Sequence, residues 1–399
     1  YKAFIADQTP EHAQGRVFGI SETIITIAWI AGPPLGGLLA ESLGYRAMFI
    51  AATISFTIAA GIFSRMARLA GAIAQAVVLE YGTTGLLTRL SDPFWFQAFG
   101  CVLGFDWHSS GITTTVCSAL KQGFSGLENE YGIFFAGGKG KHSRKTPDEI
   151  SSFADRFSFS PDDFIYASRM SAKVDSSAVQ DGYQIYQHTF AFTKDGLWTV
   201  VQQGMNEATR YARRYHWLSK DLSDFVSEPH RGIITVKREK QVLNLVSHKS
   251  EKARGVITGL SGWNPDKTIS ELKSLATLDM PERHPIFSSD VSRAKIRRIL
   301  VSTYENPPSN FEELLGRHGV GPKTIRALSL LSELVWGTPP DWTDPARFSF
   351  AHGGKDGYPY PVDKNTYDKS IAILERAIAK AKISQNEKDK AFGRLRRLL

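Results

Sequence analysis

The sequence predicts an α+β domain followed by an all-α domain, with a two-helix, transmembrane-like hairpin in front of them. Three observations predict this order. Charged residues are almost absent from two long runs near the start, strand-like aromatic and β-branched runs fill the middle, and helical patterns broken by glycine and proline fill the end. The predicted boundaries are residues 1–68, 71–265 and 266–399, and the last part contains a helix-hairpin-helix at about residues 310–330.

Length and composition restrict the class of protein. A chain of 399 residues is long enough for two or three domains and a large core. Its 22% charged residues and mean hydropathy of −0.20 exclude wholesale disorder and a fully polytopic membrane protein. The two cysteines, Cys101 and Cys117, form no CxxC pair, which favours a reducing compartment and no cysteine zinc site.

The N-terminal part has the composition of membrane-spanning helices. Residues 23–40 and 47–64 contain no charged side chain, and each run approaches the ~20 apolar residues that cross a bilayer. Residues 41–46 would then be the loop of a helical hairpin. The alternative is a pair of buried helices in a soluble protein.

The motif AGPPLGGLL at Ala31–Leu39, followed by Gly44-Tyr45-Arg46 and a second apolar run, resembles a piece of a major facilitator superfamily transporter. The resemblance covers only a small part of such a transporter. Transport sites need polar groups near the membrane midplane, and this segment supplies almost none. The resemblance therefore implies a membrane anchor at most. We expect a cytoplasmic body, with membrane association through residues 1–68 if the hairpin forms.

The body contains several elements with clear local signals. Apolar spacing predicts a helix over Ala72–Leu90. The aromatic and β-branched runs Tyr183–Phe192 and Leu197–Gln203 flank Lys194-Asp195-Gly196, which predicts a β-hairpin. Arg293–Tyr304 is helical in pattern, and the prolines that follow would end the helix.

Six phrases in the body are unusually rich in glycine and polar residues. They are Gly104–Gly111, Ala136–Lys141, Arg169–Asp175, Gln180–Tyr183, Val201–Asn206 and Arg213–Trp217. With these phrases the chain from about residue 72 to beyond residue 363 resembles a prokaryotic family catalogued as domain of unknown function 763. The resemblance implies no mechanism, but it implies that the body is one unit to which the N-terminal part is foreign.

Some of these phrases contain residue types found at catalytic centres. Asp106 and His108 would form an acid/base or metal pair, and Lys173, Asp175 and Asp181 are residue types of metal nucleases. A divalent metal would be the cofactor in that case, although the usual nuclease spacing is missing. The alternative is that all five are turn or core residues.

Clustered basic residues favour a nucleic-acid partner. The net charge is +8, and the cations concentrate at Lys139–Lys145, Arg210–His216, Lys237–Lys240, His248–Arg254 and Lys295–Arg298. We expect Lys139 and Lys141 in a glycine-rich loop, together with Arg213 and Arg214, to contact phosphates. The alternative is a set of solvated basic surfaces.

The sequence NFEELLGRHGVGPKTIRAL at Asn310–Leu328 predicts a helix, a glycine hairpin and a second helix. Gly319 and Gly321 permit a turn tight enough to aim backbone N–H groups at one phosphate, and the second helix adds its positive N-terminal end. Lys323 and Thr324 follow directly and would add contacts. This pattern matches the helix-hairpin-helix DNA-binding motif; the alternative is an ordinary corner between helices.

The hairpin and the downstream phrase YPYPVDKN, at Tyr358–Asn365, together resemble the helix-hairpin-helix DNA glycosylase superfamily. The resemblance implies that Lys323 attacks the sugar C1′ and that Asp363 assists departure of the base. No cofactor is required for that reaction. The connection between the two residues is longer than in the commonest members, as it is in archaeal 8-oxoguanine-type glycosylases.

Three functions follow from these observations. The leading prediction is a DNA-binding, DNA-processing or repair protein. Its most specific version is a glycosylase/AP lyase that uses Lys323 and Asp363. The alternatives are a non-catalytic nucleic-acid-binding protein and a membrane protein derived from a transporter. DNA is the expected partner, and the sequence predicts no obligate protein partner. Enzymatic activity is left open between glycosylase/lyase and nuclease.

Overall fold

The computed structural model describes residues 11–105, 111–220, 222–275, 293–349 and 364–397. Contacts divide the chain into two compact units. The first comprises Tyr1–Gly82, Gln97–Leu127 and Asp363–Leu399, and the second comprises Thr83–Phe96 and Glu128–Val362. The boundaries predicted near residues 68 and 265 remain predictions.

The helices, in chain order, are α1 Glu11–Ser91, α2 Pro93–Val102, α3 Gly111–Phe124, α4 Glu128–Tyr131, α5 Lys141–Arg144, α6 Thr146–Phe157, α7 Asp162–Lys173, α8 Glu251–Ser261, α9 Pro265–Leu275, α10 Arg293–Glu305, α11 Phe311–Gly316, α12 Pro322–Leu334, α13 Lys364–Lys380 and α14 Gln385–Arg396. A π-helical turn, Val174–Ala178, follows α7, and a 3-10 turn, His248–Ser250, precedes α8. The helices predicted over residues 72–90 and 293–304 are confirmed within α1 and α10.

The strands are β1 Phe134–Lys139, β2 Val179–Gln180, β3 Gln184–Phe192, β4 Trp198–Met205, β5 Ala212–Leu218, β6 His230–Thr235, β7 Leu243–Asn244 and β8 Phe348–Ser349. Five of them form an antiparallel sheet in the order β1-β3-β4-β5-β6, and β8 adds to β6 in parallel. The predicted β-hairpin is confirmed, since β3 and β4 are antiparallel with Phe192 opposite Trp198.

The N-terminal segment is one long helix rather than two helices joined by a loop. Helical structure continues through residues 41–46, where the sequence predicts the loop of a hairpin. Inside α1 the backbone leaves helical angles at Gly44 (φ 78°, ψ 158°) and Gly82 (φ 73°, ψ 174°). Both departures fall on glycine, which adopts positive φ without steric cost. The expected two-helix hairpin is therefore wrong, because the interruption is limited to single glycines.

One helical segment among the described residues is long and apolar enough to cross a membrane. It spans Gly44–Ser91, and its most apolar stretch has a mean hydropathy of 1.9 with no residue buried. Phe49 and Phe56 illustrate this surface, with 63% and 77% of their areas exposed. Length and composition alone support a membrane span, so the association with a membrane remains a prediction.

The second unit has a hydrophobic core that the sheet and the C-terminal helices share. Phe190, Val200 and Trp217 of the sheet belong to one buried cluster with residues of α7, α8, α10, α11 and α12. Ile325 and Leu328 of α12 are 0% and 1% exposed in this cluster. Helices α9 to α12, which the sequence places in a separate all-α domain after residue 265, therefore contribute to the same core as the sheet, whereas α13 and α14 belong to the first unit.

Candidate functional site

The predicted helix-hairpin-helix is formed by α11 and α12. Asn310 caps α11, since its side chain accepts a hydrogen bond of 2.8 Å from the Glu313 N–H. α11 buries Phe311, Leu314 and Leu315, and α12 buries Ile325, Leu328 and Leu331. These apolar positions recur at helical spacing, so both helices turn their apolar faces into the shared core and leave the hairpin at the surface.

The turn between the helices depends on glycine. Gly319 has φ +84°, a conformation that residues with a side chain rarely adopt. Gly321 is the N-cap of α12, with no side-chain hydrogen bond to the helix, and Pro322 occupies the first turn. The first N–H groups of an α-helix lack partners within the helix and attract anions. The start of α12 is therefore a candidate anion site.

The inner side of this turn is held by the segment that follows α7. Lys173 Nζ donates to the carbonyl oxygens of Val320 at 2.5 Å and Arg317 at 3.5 Å. Gln180 Nε2 donates to the carbonyl oxygen of Pro322 at 2.8 Å. Burial lowers the pKa of Lys173. Lys173, which the sequence associates with a metal nuclease, thus braces the hairpin.

The outer side carries the candidate DNA contacts. His318, Gly319 and Lys323 are exposed. Thr324 as a whole residue is only 4% exposed, so the predicted nucleic-acid contact by Thr324 is corrected by its burial. Asp363, the other half of the predicted catalytic pair, lies outside the described residues, as do Asp106 and His108.

Arg213 lies in the protein interior, which does not fit the predicted phosphate contact. Its guanidinium donates to Asp181 Oδ2 at 2.9 Å and to Asp344 Oδ1 and Oδ2 at 3.1 and 2.7 Å. Tyr215 also donates to Asp181 Oδ2, at 2.6 Å. Arg213 is 0% exposed. Burial alone would lower its pKa, but the two carboxylates and Tyr215 raise it.

Arg214 points to the opposite face of the sheet and is 1% exposed. Its Nε donates to His216 Nε2 at 2.8 Å, and its guanidinium lies 4.7 Å from the centre of the Phe96 ring. His216 Nδ1 in turn donates to the Leu90 carbonyl oxygen at 2.9 Å. Neighbouring residues of a strand face opposite sides, so one run of two arginines supplies two separate interior contacts. The expectation that Arg213 and Arg214 bind DNA is corrected by this burial.

Asp175 is the centre of a second buried polar cluster. It is 0% exposed and lies in the π-helical turn. Its Oδ2 accepts from Gln202 Nε2 at 2.5 Å and from Trp217 Nε1 at 3.0 Å, while Oδ1 contacts His230 Nε2 at 2.5 Å. A buried carboxylate is stable only when it is paired or hydrogen-bonded, and this one has three side-chain partners.

Lys173, Asp175 and Asp181 therefore have three different environments. Lys173 binds the hairpin, Asp175 binds the cluster of Gln202, Trp217 and His230, and Asp181 binds Arg213. No group of three or more His, Cys, Asp or Glu side chains suited to a metal ion is found in the part of the chain that the structure describes. The nuclease alternative and its divalent metal stay predictions.

Lys139 and Lys141 are exposed at one edge of the sheet. Lys139 ends β1, where it is opposite Gln187 of β3, and Lys141 begins α5. The Gly140 N–H between them donates to the Tyr186 carbonyl oxygen at 2.8 Å. The loop expected from the glycines is thus partly strand and helix, while both ammonium groups remain at the surface.

Sequence reasoning missed the partners of these clusters. Asp344 and His230 are distant in sequence from Arg213 and Asp175, and they were not candidates. One local signal was present: polar residues such as Gln202 and Tyr215 occur inside runs of strand-like composition. The signal is ambiguous, because a strand with one face in solvent also alternates polar and apolar residues.

The comparison with known families has one result. A family model described as Protein of unknown function (DUF763) matches residues 58–362, which contain the sheet, both buried polar clusters and the hairpin. No curated protein and no solved structure matches the chain. Neither the glycosylase resemblance nor the transporter resemblance is supported by a match. The matched region covers most of the chain, and the protein therefore belongs to the DUF763 family.

Proposed function

We propose that this protein binds DNA by placing the hairpin between α11 and α12 against the phosphate backbone. The observation that carries the proposal is the start of α12, where the exposed Gly319 turn leads into a helix that begins at Pro322 and whose N-cap, Gly321, has no side chain to cap it. Such a helix start favours an anion through its N–H groups and its dipole. The exposed Lys323 adds a cation in the first turn.

The rigidity of the hairpin supports the same proposal. Lys173 and Gln180 hold the carbonyl oxygens of Val320 and Pro322 from inside the protein. The carbonyl groups are thereby kept away from a phosphate, which they would repel. A preorganised turn also binds with a smaller loss of conformational entropy.

A glycosylase/AP lyase is the catalytic form of this proposal. In it the Lys323 amine bonds to C1′ of the sugar while the bond from C1′ to the base breaks and the base leaves with a proton. The sugar ring then opens at the C1′–O4′ bond to give a Schiff base, which borohydride can reduce. Asp363 would stabilise positive charge on the sugar. This form rests on the sequence resemblance alone and requires no cofactor. The alternative is a binding module in which Lys323 contacts phosphate only.

Two measurements on the full-length protein test the proposal. The first is the salt dependence of binding to duplex DNA for the wild type, Lys323→Ala and Lys390→Ala. Lys390 is an exposed lysine of α14 in the other unit, so its substitution removes the same charge elsewhere. We expect Lys323→Ala to lower the magnitude of the slope of log K against log salt by about 1, and Lys390→Ala to leave it unchanged. Equal slopes for all three proteins, or no binding, would reject the hairpin as the DNA contact.

The second measurement uses oligonucleotides that carry an abasic site, uracil or oxidised guanine, with sodium borohydride present. A covalent adduct formed by the wild type and by Lys390→Ala but lost in Lys323→Ala establishes the catalytic form. Salt-dependent binding without an adduct establishes the binding module. An adduct that persists in Lys323→Ala contradicts the role of Lys323 as the nucleophile.

A further inference from the structure

The Asp175 cluster continues through the sheet to a serine. Gln202 Oε1 lies 2.9 Å from His188 Nδ1, and His188 Nε2 lies 2.9 Å from Ser168 Oγ. His188 belongs to β3, Gln202 to β4 and Ser168 to α7, so three separate elements bring the side chains together. This is the order of a nucleophile, a base and a residue that orients the base.

The hydrogen-bond partners determine which nitrogen of His188 carries the proton. Trp217 Nε1 can only donate, so Asp175 Oδ2, 3.0 Å away, is an acceptor. Gln202 therefore presents its NH₂ group to Asp175 Oδ2 and its Oε1 to His188. Oε1 can only accept, which places the proton of the neutral imidazole on Nδ1. Nε2 is left with a lone pair, and it faces the hydroxyl of Ser168.

The electrostatic surroundings maintain this arrangement. Burial lowers the pKa of His188, while the Gln202 hydrogen bond and the charge of Asp175 act in the opposite direction. The resting imidazole is thus kept neutral and able to accept a proton. Once it is protonated, Asp175 stabilises the imidazolium through Gln202.

Ser168 and His188 both line a cavity of about 1200 Å³ between α5, α6, α7 and β3. The cations at its wall are Arg144, Arg169 and Lys173, and the carboxylates are Asp148, Asp162 and Asp163. Equal numbers of opposite charges give no preference for a multiply charged anion such as a nucleic-acid strand. The charge balance of the wall thus fits a substrate without net charge.

We propose that Ser168 is a nucleophile activated by His188, that Gln202 positions the imidazole, and that the substrate is a neutral carboxylic ester. Ser168 Oγ forms a bond to the ester carbonyl carbon while its proton moves to His188 Nε2. The bond from that carbon to the alcohol oxygen breaks, and the alcohol leaves with the proton from Nε2. Water then attacks the acyl group, with His188 again carrying the proton, and releases the carboxylic acid and the free Ser168 hydroxyl.

The first test treats the full-length protein with a fluorophosphonate, in which serine forms an Oγ–P bond and fluoride leaves. We expect one adduct by intact mass, located by peptide mapping on Ser168. Mapping of the wild type needs no variant and is independent of any folding defect. Ser168→Ala should lose the adduct. The matched control is Ser171→Ala, because Ser171 is a buried serine of the same helix that bonds to the Ser168 carbonyl oxygen and does not line the cavity.

The second test separates the base from its orienting partner. His188→Gln should lower the labelling rate and the hydrolysis of p-nitrophenyl acetate by about 100-fold or more, the usual contribution of a general base. Gln202→Leu should lower both rates and also shift the ¹⁵N signals of the His188 ring away from the Nδ1–H tautomer. A purely structural role of Gln202 would leave that tautomer unchanged.

The proposal is overturned if the wild type forms no adduct, if the adduct maps to another serine, or if His188→Gln reacts at the wild-type rate. None of these outcomes involves Lys323 or the hairpin. A negative result for the serine site therefore leaves the DNA-binding proposal unaffected, and a negative result for DNA binding leaves the serine site unaffected.

Discussion

At the scale of single residues, burial rather than residue type decides what the charged side chains do. Arg213 and Lys323 both occur in basic phrases of the sequence, yet Arg213 is 0% exposed and bound to two carboxylates, whereas Lys323 lies at the surface. A surface cation is solvated and can exchange water for phosphate. The buried guanidinium of Arg213 is already paired with two internal carboxylates.

Arg213→Met should strongly destabilise the protein. The substitution leaves Asp181 and Asp344 buried without their cation, and removal of one partner of a buried pair typically costs about 3–5 kcal/mol. Denaturant-induced unfolding measures the change. Arg210→Met, at an exposed arginine just before β5, is the control and should cost below about 0.5 kcal/mol. Equal midpoints for the two variants would show that the buried ion pairs contribute little.

His216 should make the stability depend on pH. Burial, with the neighbouring Arg214, holds the pKa of His216 well below its usual range, so the folded protein keeps it neutral. In the unfolded chain it takes up a proton near its ordinary pKa of about 6.5, so the unfolded state binds more protons as the pH falls below that value. The contribution of His216 to stability is therefore complete above pH 6.5 and declines toward pH 5. Unfolding midpoints of the wild type and His216→Gln between pH 7.5 and 5 measure this, and parallel pH profiles would contradict it.

At the scale of elements, the segment from α7 through the π-helical turn to β2 connects the two candidate sites. Lys173 and Gln180 in this segment brace the hairpin, and Asp175 between them anchors the polar cluster of the sheet. One short stretch of chain thus positions groups on both sides of the core. Substitutions here should affect local order before they affect global stability.

Lys173→Met should loosen the hairpin. The change removes a cationic donor from the carbonyl groups of Val320 and Arg317, and a hydrogen bond of this type contributes roughly 1.5–3 kcal/mol. Amide hydrogen exchange at residues 317–321 should accelerate by about tenfold or more. Lys145→Met, at an exposed lysine, should leave these rates unchanged. Unaltered exchange in Lys173→Met would mean that backbone contacts alone hold the turn.

The apolar surface of α1 predicts binding to lipid vesicles. Phe56 is 77% exposed within the uncharged run 47–64, and a charged side chain in the centre of a membrane span costs about 2.5–3.5 kcal/mol. Phe56→Glu should therefore reduce co-flotation of the full-length protein with vesicles. Leu79→Glu, at a similarly exposed apolar residue beside Glu80 and outside that run, should reduce it less. Failure of the wild type to float would reject membrane association.

At the scale of the whole molecule, the second unit joins the sheet and the hairpin helices in one core. Residues from β3, β4 and β5 and from α8, α11 and α12 belong to the same buried cluster. A shared core couples the stability of its elements, because opening one exposes the apolar surface of the others. The hairpin is therefore part of the body rather than an attached module.

Leu328→Ala tests this coupling. Leu328 is 1% exposed, and truncation of a buried leucine costs about 2–5 kcal/mol. If the core is shared, the most slowly exchanging amides of β4 and of α12 should lose the same amount of protection. Loss of protection in α12 alone would instead support the separate helical domain that the sequence predicts after residue 265.

Local patterns were sufficient for the elements whose contacts are close in sequence. The β3–β4 hairpin and the α11–α12 hairpin were both predictable, because alternation, turn residues and helical spacing act within about 20 residues. The uncharged runs at residues 23–40 and 47–64 were also evident from the sequence, but the loop predicted between them, at residues 41–46, is absent from the structure. The helical segments on either side of residues 41–46 are interrupted only at Gly44, which has non-helical angles, and no loop separates them.

The sequence alone indicated an α+β protein with strands in the middle, a glycine turn at Gly319 and Gly321 between two helices, and two apolar runs near the N-terminus. Only the tertiary structure decided that Arg213 and Arg214 are interior, that Lys173 supports the hairpin, and that Ser168, His188 and Gln202 meet. The reason is physical. Helical and strand periodicity is set by neighbouring residues, whereas the partner of a buried polar group is supplied by whichever distant strand or helix the packing places beside it.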